Sequence, residues 1–188
     1  MVITETKLKG AFLIELDYFK DDRGLFAPVW SHRDFAAAGM TASFIESNLS
    51  FNEKKGTLRG MHYQLPPNEQ VKLVRCTRGR IYDVIIDLRP NSPTFKQWYA
   101  VEMSADNYLM LYVPGEFAHG YLSLDDQTEV FYQTSSYYEP AQGRGVRWND
   151  PAFDIYWPTE PLIMLDRDRE YEDFSANKAF ASTPPTSG

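Results

Sequence analysis

Residues 56–72 read G-T-L-R-G-M-H-Y-Q-L-P-P-N-E-Q-V-K. The first part is a strand pattern and Pro66-Pro67-Asn68 is its exit loop. Arg59, His62 and Lys72 place two fixed cations beside a group that moves a proton near neutral pH. Such a cluster on a strand points to an anion-binding pocket with a proton-transfer group inside it. A solvated, charged strand edge is the alternative that this stretch alone leaves open.

Working outward, residues 44–51 form a strand pattern before the Lys54-Lys55-Gly56 turn. Residues 71–77 and 81–88 flank Arg78-Gly79-Arg80, which predicts a hairpin turn. Residues 95–103, 108–113, 118–124 and 130–135 continue the series. Residues 11–16 and 25–30 precede it, separated by the Asp21-Asp22-Arg23-Gly24 turn, and Pro28 demotes the second of them to an edge or a bulge. The one helix expected in the first half covers residues 32–38, capped by Ser31 and closed by Gly39. His32 in its first turn reads as an exposed residue. Many short strands divided by Gly, Pro and Asp turns indicate an all-β sandwich or barrel with short peripheral helices. Neither a repeat nor a linker interrupts the pattern, so residues 1–175 are expected as one domain, with 176–188 a flexible tail.

Composition narrows the function. The chain has 188 residues, 15% of them aromatic, and a formal net charge of −7 without a long basic run. That disfavours nucleic acid as a partner but not a small anionic ligand held by a local patch. The single cysteine, Cys76, forbids an intrachain disulfide and fits a reducing compartment. The first residues lack the apolar core of a signal peptide, and no apolar run reaches membrane-spanning length. A soluble cytoplasmic protein is expected.

Strand parity tests the pocket. Lys72, Val74 and Cys76 share one face, as do Val130, Tyr132 and Thr134. Arg59 and His62 lie three apart, so a regular strand sends them to opposite faces. Both enter one pocket only if the strand bulges or twists hard, which Gly60 permits.

The residue types present allow three chemistries. A metal site wants three or four His, Cys or carboxylate ligands. His62 and His119 lack a third ligand at a recognisable spacing, so no metal is expected. Cys76 alternates with apolar neighbours and reads as a buried structural thiol. General acid–base chemistry remains. His62 serves as base if a carboxylate fixes its tautomer, and the Asp166-Arg167-Asp168 stretch offers one. Tyr132 is a candidate acid, since an ordinary phenol is protonated at neutral pH. Lys72 and Arg59 are candidates to stabilise developing negative charge. Each also has a plain reading: Tyr132 as a core aromatic, Asp168 as the start of a turn.

Several motifs then occur together in order: D-D-R-G at 21–24, L-R-G-M-H-Y-Q at 58–64, K-L-V-R-C at 72–76, S-P-T-F at 92–95, F-A-H-G at 117–120, F-Y-Q-T-S-S-Y-Y at 131–138 and R-G-V-R-W-N-D-P at 144–151. Across nearly the whole chain except the tail, this set resembles the dTDP-4-dehydrorhamnose 3,5-epimerase (RmlC-like) family. The resemblance implies a cupin-type jelly roll, a homodimer, no cofactor or metal, and epimerisation of a nucleotide-diphosphate 4-keto-6-deoxy sugar at C3, C5 or both. It implies His62 as base paired with Asp168, Tyr132 as acid on the opposite face of the sugar, and Lys72 beside the enolate. It also implies substrate contacts at Arg23, Phe26, Glu46, Asn48, Arg59, His119 and Tyr138. Four positions depart from the family pattern: Pro28 and Ala141 where a Glu is usual, Glu46 in place of Gln, and Leu49 in place of His. These departures imply a conserved reaction with a substrate altered in base or sugar. A ketoisomerase on the same barrel and a non-catalytic sugar- or nucleotide-binding module are the competing expectations.

Overall fold

The computed structural model describes residues 1–41 and 43–176. The strands are β1 (Val2–Glu5), β2 (Phe12–Glu15), β3 (Phe19–Asp21), β4 (Gly24–Phe26), β5 (Glu46–Asn52), β6 (Leu58–Gln64), β7 (Lys72–Arg78), β8 (Arg80–Asp87), β9 (Trp98–Ser104), β10 (Met110–Val113), β11 (Phe117–Ser123), β12 (Thr128–Thr134) and β13 (Gly143–Gly145). The helices are α1 (His32–Ala37) and α2 (Asp166–Arg169). One six-stranded sheet runs β1-β2-β10-β7-β12-β5, and a five-stranded sheet runs β13-β6-β11-β8-β9. Strands β3 and β4 form a separate two-stranded hairpin. This is the all-β jelly-roll architecture that the strand series suggests.

Alternation along the strands explains the layers. Val74, Cys76, Ile81, Ile85, Met103 and Val130 belong to the central apolar cluster. Met61, Tyr63, Val84, Ile86 and Ala118, at the opposite parity, form a second cluster with Phe153. Ile14, Leu73, Met110 and Tyr112 form a third with Phe35, the buried residue of α1. As expected, the Ser31 side chain caps that helix by accepting from the Asp34 N–H at 3.3 Å.

One local expectation is overturned. Residues 78–80 do not make a hairpin, because β7 and β8 lie in different sheets. Both edges of β7 are already taken by β10 and β12. The chain therefore turns a corner between layers at Gly79, whose φ of +72° suits glycine. The strand foreseen over residues 25–30 also stops early, at Phe26, before Pro28. The expected tail lies outside the described residues from position 177 onward. Among the described residues no helix is long and apolar enough to cross a membrane.

Candidate active site

The two sheets leave a cavity of about 550 Å³ between them, a volume suited to a small-molecule ligand. Its wall gathers residues from both sheets. Strand β5 contributes Glu46, Asn48 and Ser50, and β12 contributes Tyr132 and Thr134. Strand β6 contributes Arg59, His62 and Gln64, and β11 contributes His119 and Tyr121. Lys72 enters from β7, and Tyr138 lines the cavity from the segment after β12.

Arg59 and His62 share the cavity because β6 is bulged. His119 pairs with His62 and Tyr121 with Arg59, so two steps on β11 match three on β6. Gly60 has φ +132°, and a Cβ there would lie 2.4 Å from the Gly120 Cα. Only glycine permits this approach, and it resolves the parity conflict in favour of the pocket.

The base candidate is fully assembled. His62 Nε2 lies 2.7 Å from Asp168 Oδ1, and Asp168 is 1% exposed. The Gly60 N–H donates to the other carboxylate oxygen at 3.4 Å. Burial lowers the His62 pKa from the ordinary histidine value, against the opposing pull of Asp168, while Lys72 and Arg167 add to the lowering. About a third of the His62 side chain still faces the cavity. It is therefore a neutral imidazole at pH 7, held in one tautomer and open to a ligand. Burial pushes the Asp168 carboxyl up, but its His62 hydrogen bond leads the effects that hold it below the usual value.

Asp168 arrives from α2, far along the chain, and the segment that carries it is pinned. Arg147 Nη1 donates to the Tyr171 carbonyl at 3.2 Å, and the Phe174 N–H donates to Asp150 Oδ2 at 2.6 Å. Tyr171 lies so close over Gly145 that any Cβ there would come within 2.1 Å of the ring. That placement sets the Tyr171 ring edge-on to His62, with centroids 6.4 Å apart.

Tyr132 faces the cavity from the other sheet. Burial raises its pKa; Tyr121 and Glu46 add to this, and Arg59 opposes it. The phenol keeps its proton at neutral pH and can deliver it. Lys72 is 8% exposed, with Nζ 3.5 Å from the His62 carbonyl. Burial lowers its pKa to about 8, with Asp83 pulling the other way. It is still mostly an ammonium at pH 7. A second His–Asp contact lies alongside: His119 Nε2 is 2.9 Å and 3.1 Å from the two oxygens of the buried Asp83.

Nearly all the residues expected at the site meet at this cavity. Arg23 and Phe26 do not. They sit on the β3–β4 hairpin, where the Arg23 side chain is 89% exposed and, among the described residues, bonds only Asp21, and Phe26 is 76% exposed. Of the four departures from the family pattern, Glu46 alone lines the cavity. Leu49 points to the opposite face of β5 and is 62% exposed. Residues not foreseen at the wall include Gln70, Arg144, Arg167 and Tyr171. Gln64 and Arg167 were within reach of a sequence argument, being two residues from His62 and adjacent to Asp168. Cys76 is buried, as expected of a structural thiol, and burial pushes its pKa up to about 11. Among the described residues no three or more His, Cys, Asp or Glu side chains group as a metal site.

Comparison with known proteins agrees over the same span. A family model described as dTDP-4-dehydrorhamnose 3,5-epimerase matches residues 5–176. The dTDP-4-dehydrorhamnose 3,5-epimerase of Escherichia coli K12 is 41% identical over 170 residues, covering 89% of this chain and 91% of its own. The crystal structure of the Bacillus anthracis enzyme with TDP and PPi bound superposes with a TM-score of 0.88 at 42% identity, covering 92% of this chain and 99% of that one. The Legionella pneumophila enzyme in complex with dTDP-4-keto-L-rhamnose gives 0.83 at 33% identity, covering 89% of each chain.

Proposed function

The chain belongs to the dTDP-4-dehydrorhamnose 3,5-epimerase family, and from that premise we propose how its own residues perform the reaction. It is an isomerase that epimerises a nucleotide-linked 4-keto-6-deoxy sugar. The protons at C3 and C5 flank the C4 ketone and are acidified by it. The neutral His62 imidazole takes one of them, and the electron pair moves onto the C4 oxygen as an enolate. Asp168 stabilises the imidazolium that forms. Lys72 supplies positive charge to the enolate oxygen. Tyr132 then gives its proton to the carbon from the opposite face, which inverts the centre. Solvent restores the phenol and deprotonates the imidazole before the next turnover.

The observation that supports this reading is the entry of the His62–Asp168 pair and Tyr132 into one cavity from different sheets. Binding alone needs no opposed base and acid, which disfavours a non-catalytic module. We place the diphosphate against Arg59, with Tyr138 and Asn48 as further contacts to the nucleotide and sugar. Fixing the charged end in this way orients the ring for proton transfer. A thymidine nucleotide is the favoured substrate, because related structures hold TDP and dTDP-4-keto-L-rhamnose.

Two finer points belong to the same proposal. We read the described residues as one domain of a homodimer. The edge strand β5 exposes Leu49 and Phe51, and the β3–β4 hairpin exposes Phe19 and Phe26, apolar surface that a second copy would cover. Arg23 and Phe26 would then meet substrate from the partner's side, which explains their distance from the cavity of their own protomer. A cytoplasmic location suits the free Cys76 and a nucleotide-sugar substrate.

The test is turnover of dTDP-4-keto-6-deoxyglucose in heavy water. Deuterium at both C3 and C5 of the product is expected, and its presence at one carbon alone identifies a single-centre epimerase. Absence of deuterium from both carbons, with substrate recovered unchanged, would overturn the assignment of roles.

A further inference from the structure

We infer that Asn52 is a positioning residue that aims the Arg59 guanidinium into the cavity. This rests on the reading above that Arg59 meets the diphosphate. Arg59 is an exposed side chain at the cavity wall. Left free, such an arginine samples many rotamers, and a ligand that must freeze it binds more weakly.

Asn52 removes that freedom. It ends β5 and is only 2% exposed. Its Oδ1 accepts from Arg59 Nε at 2.8 Å, while its Nδ2 donates to Tyr121 Oη and to the Thr128 carbonyl, both at 3.2 Å. The amide has one workable orientation. Flipped, its NH₂ would face the arginine donors and its oxygen would face the Thr128 carbonyl. Tyr121 is fixed in turn by donating to Ser50 Oγ at 2.8 Å. The Phe51 carbonyl accepts from Arg59 Nη2 at 3.1 Å, so the guanidinium is held at two points and, among the described residues, Nη1 is left for a ligand.

The anchors are neutral, and this matters as much as their geometry. Among the described residues no carboxylate forms an ion pair with Arg59. An aspartate at position 52 would hold the arginine equally well but would cancel the charge meant for phosphate. Asn52 gives orientation without neutralisation.

Calorimetric titration with dTDP and, separately, with uncharged thymidine tests this. Asn52→Ala should weaken dTDP about tenfold and leave thymidine within twofold. Arg59→Ala should weaken dTDP at least as much, and the double variant should be no worse than Arg59→Ala alone. Additive losses, unchanged dTDP affinity in Asn52→Ala, or equal weakening of thymidine would overturn the inference. Should Asn52→Ala fail to fold, Asn52→Asp retains the side-chain size. It should bind dTDP more weakly and with a shallower salt dependence; wild-type affinity and slope would overturn the inference. If Arg59→Ala binds dTDP like the wild type, the diphosphate role of Arg59 falls first and the inference with it.

Discussion

The space between the two sheets is treated in two opposite ways. In one part Val74, Cys76, Ile81, Met103 and Val130 close it completely with apolar side chains. In the other the same strands turn polar: β7 presents Lys72 and β12 presents Tyr132 and Thr134, next to a cavity left open. A single residue of strand, Leu73, separates Lys72 from Val74. The filled part stabilises the sheets. The open part keeps buried charge and phenol that the fold would be steadier without. Stability and catalysis are therefore separable by position along single strands, and substitutions in the two parts should have opposite signatures.

The largest effect belongs to the open part. His62→Gln, which leaves an amide N–H to meet the buried Asp168, should lower epimerisation about 10²- to 10⁴-fold, the usual contribution of a positioned base, with a melting temperature close to the wild type's. A deuterium-exchange assay read beside a thermal melt checks both. A variant that loses activity only by unfolding would dissolve the distinction between the parts.

The filled part should answer the other way. Ile81 is fully buried against Met103 and Cys76, so Ile81→Ala should cost about 2–5 kcal/mol of unfolding free energy. Its kcat at a temperature well below the melt should stay within a few-fold of the wild type. Denaturant titration gives the first number and initial rates give the second.

This contrast also explains what could be read from the residues beforehand. Alternation of apolar and polar positions foretold the strands and, through Lys72, Val74 and Cys76, the inward face of β7. The conflict at Arg59 and His62 carried its own solution in Gly60. The corner at Gly79 could not be read, because a glycine turn looks the same whether the chain returns to its own sheet or crosses to the other. That choice is made by β10 and β12, which arrive later in the chain to occupy both edges of β7. The Tyr171–Gly145 packing was equally out of reach. It depends on close approach between remote segments, which no local pattern encodes. Arg23 and Phe26 show the limit of motif matching, which assigned them to the site although the fold keeps them off the cavity wall.

A smaller effect comes from Lys72. Its folded-state pKa of about 8 is depressed by burial, so between that value and the ordinary lysine range the unfolded chain binds more protons. Stability from this group should rise with pH across that window, and below about pH 8 the ammonium is a standing cost. Lys72→Met should raise unfolding free energy by roughly 1–3 kcal/mol at pH 7 while depressing turnover. The pH slope between 8 and 10 should flatten in the variant. Retention of the slope would assign it to other groups. For the wild type, kcat/KM should fall on the acid side as His62 protonates, below the ordinary histidine pKa, and on the basic side near pH 8 as Lys72 loses its proton.

The smallest effect is expected at Glu46, and it sharpens the comparison most finely. Glu46 is a carboxylate on the cavity wall, and it raises the Tyr132 pKa. A diphosphate entering the same cavity meets that negative charge across solvent, where repulsion is modest and screened. Glu46→Gln should therefore tighten dTDP about two- to fivefold at low salt, with the gain shrinking as salt is raised. Folding stability should stay within about 0.5 kcal/mol, as for substitutions away from packed positions. The same exchange of polarity at Val130, two positions along β12 from Tyr132, would bury an amide without partners and cost several times as much. If Glu46→Gln destabilised the protein as a core substitution does, Glu46 would belong to the packed part, and the boundary between the two parts would have to be redrawn along β5.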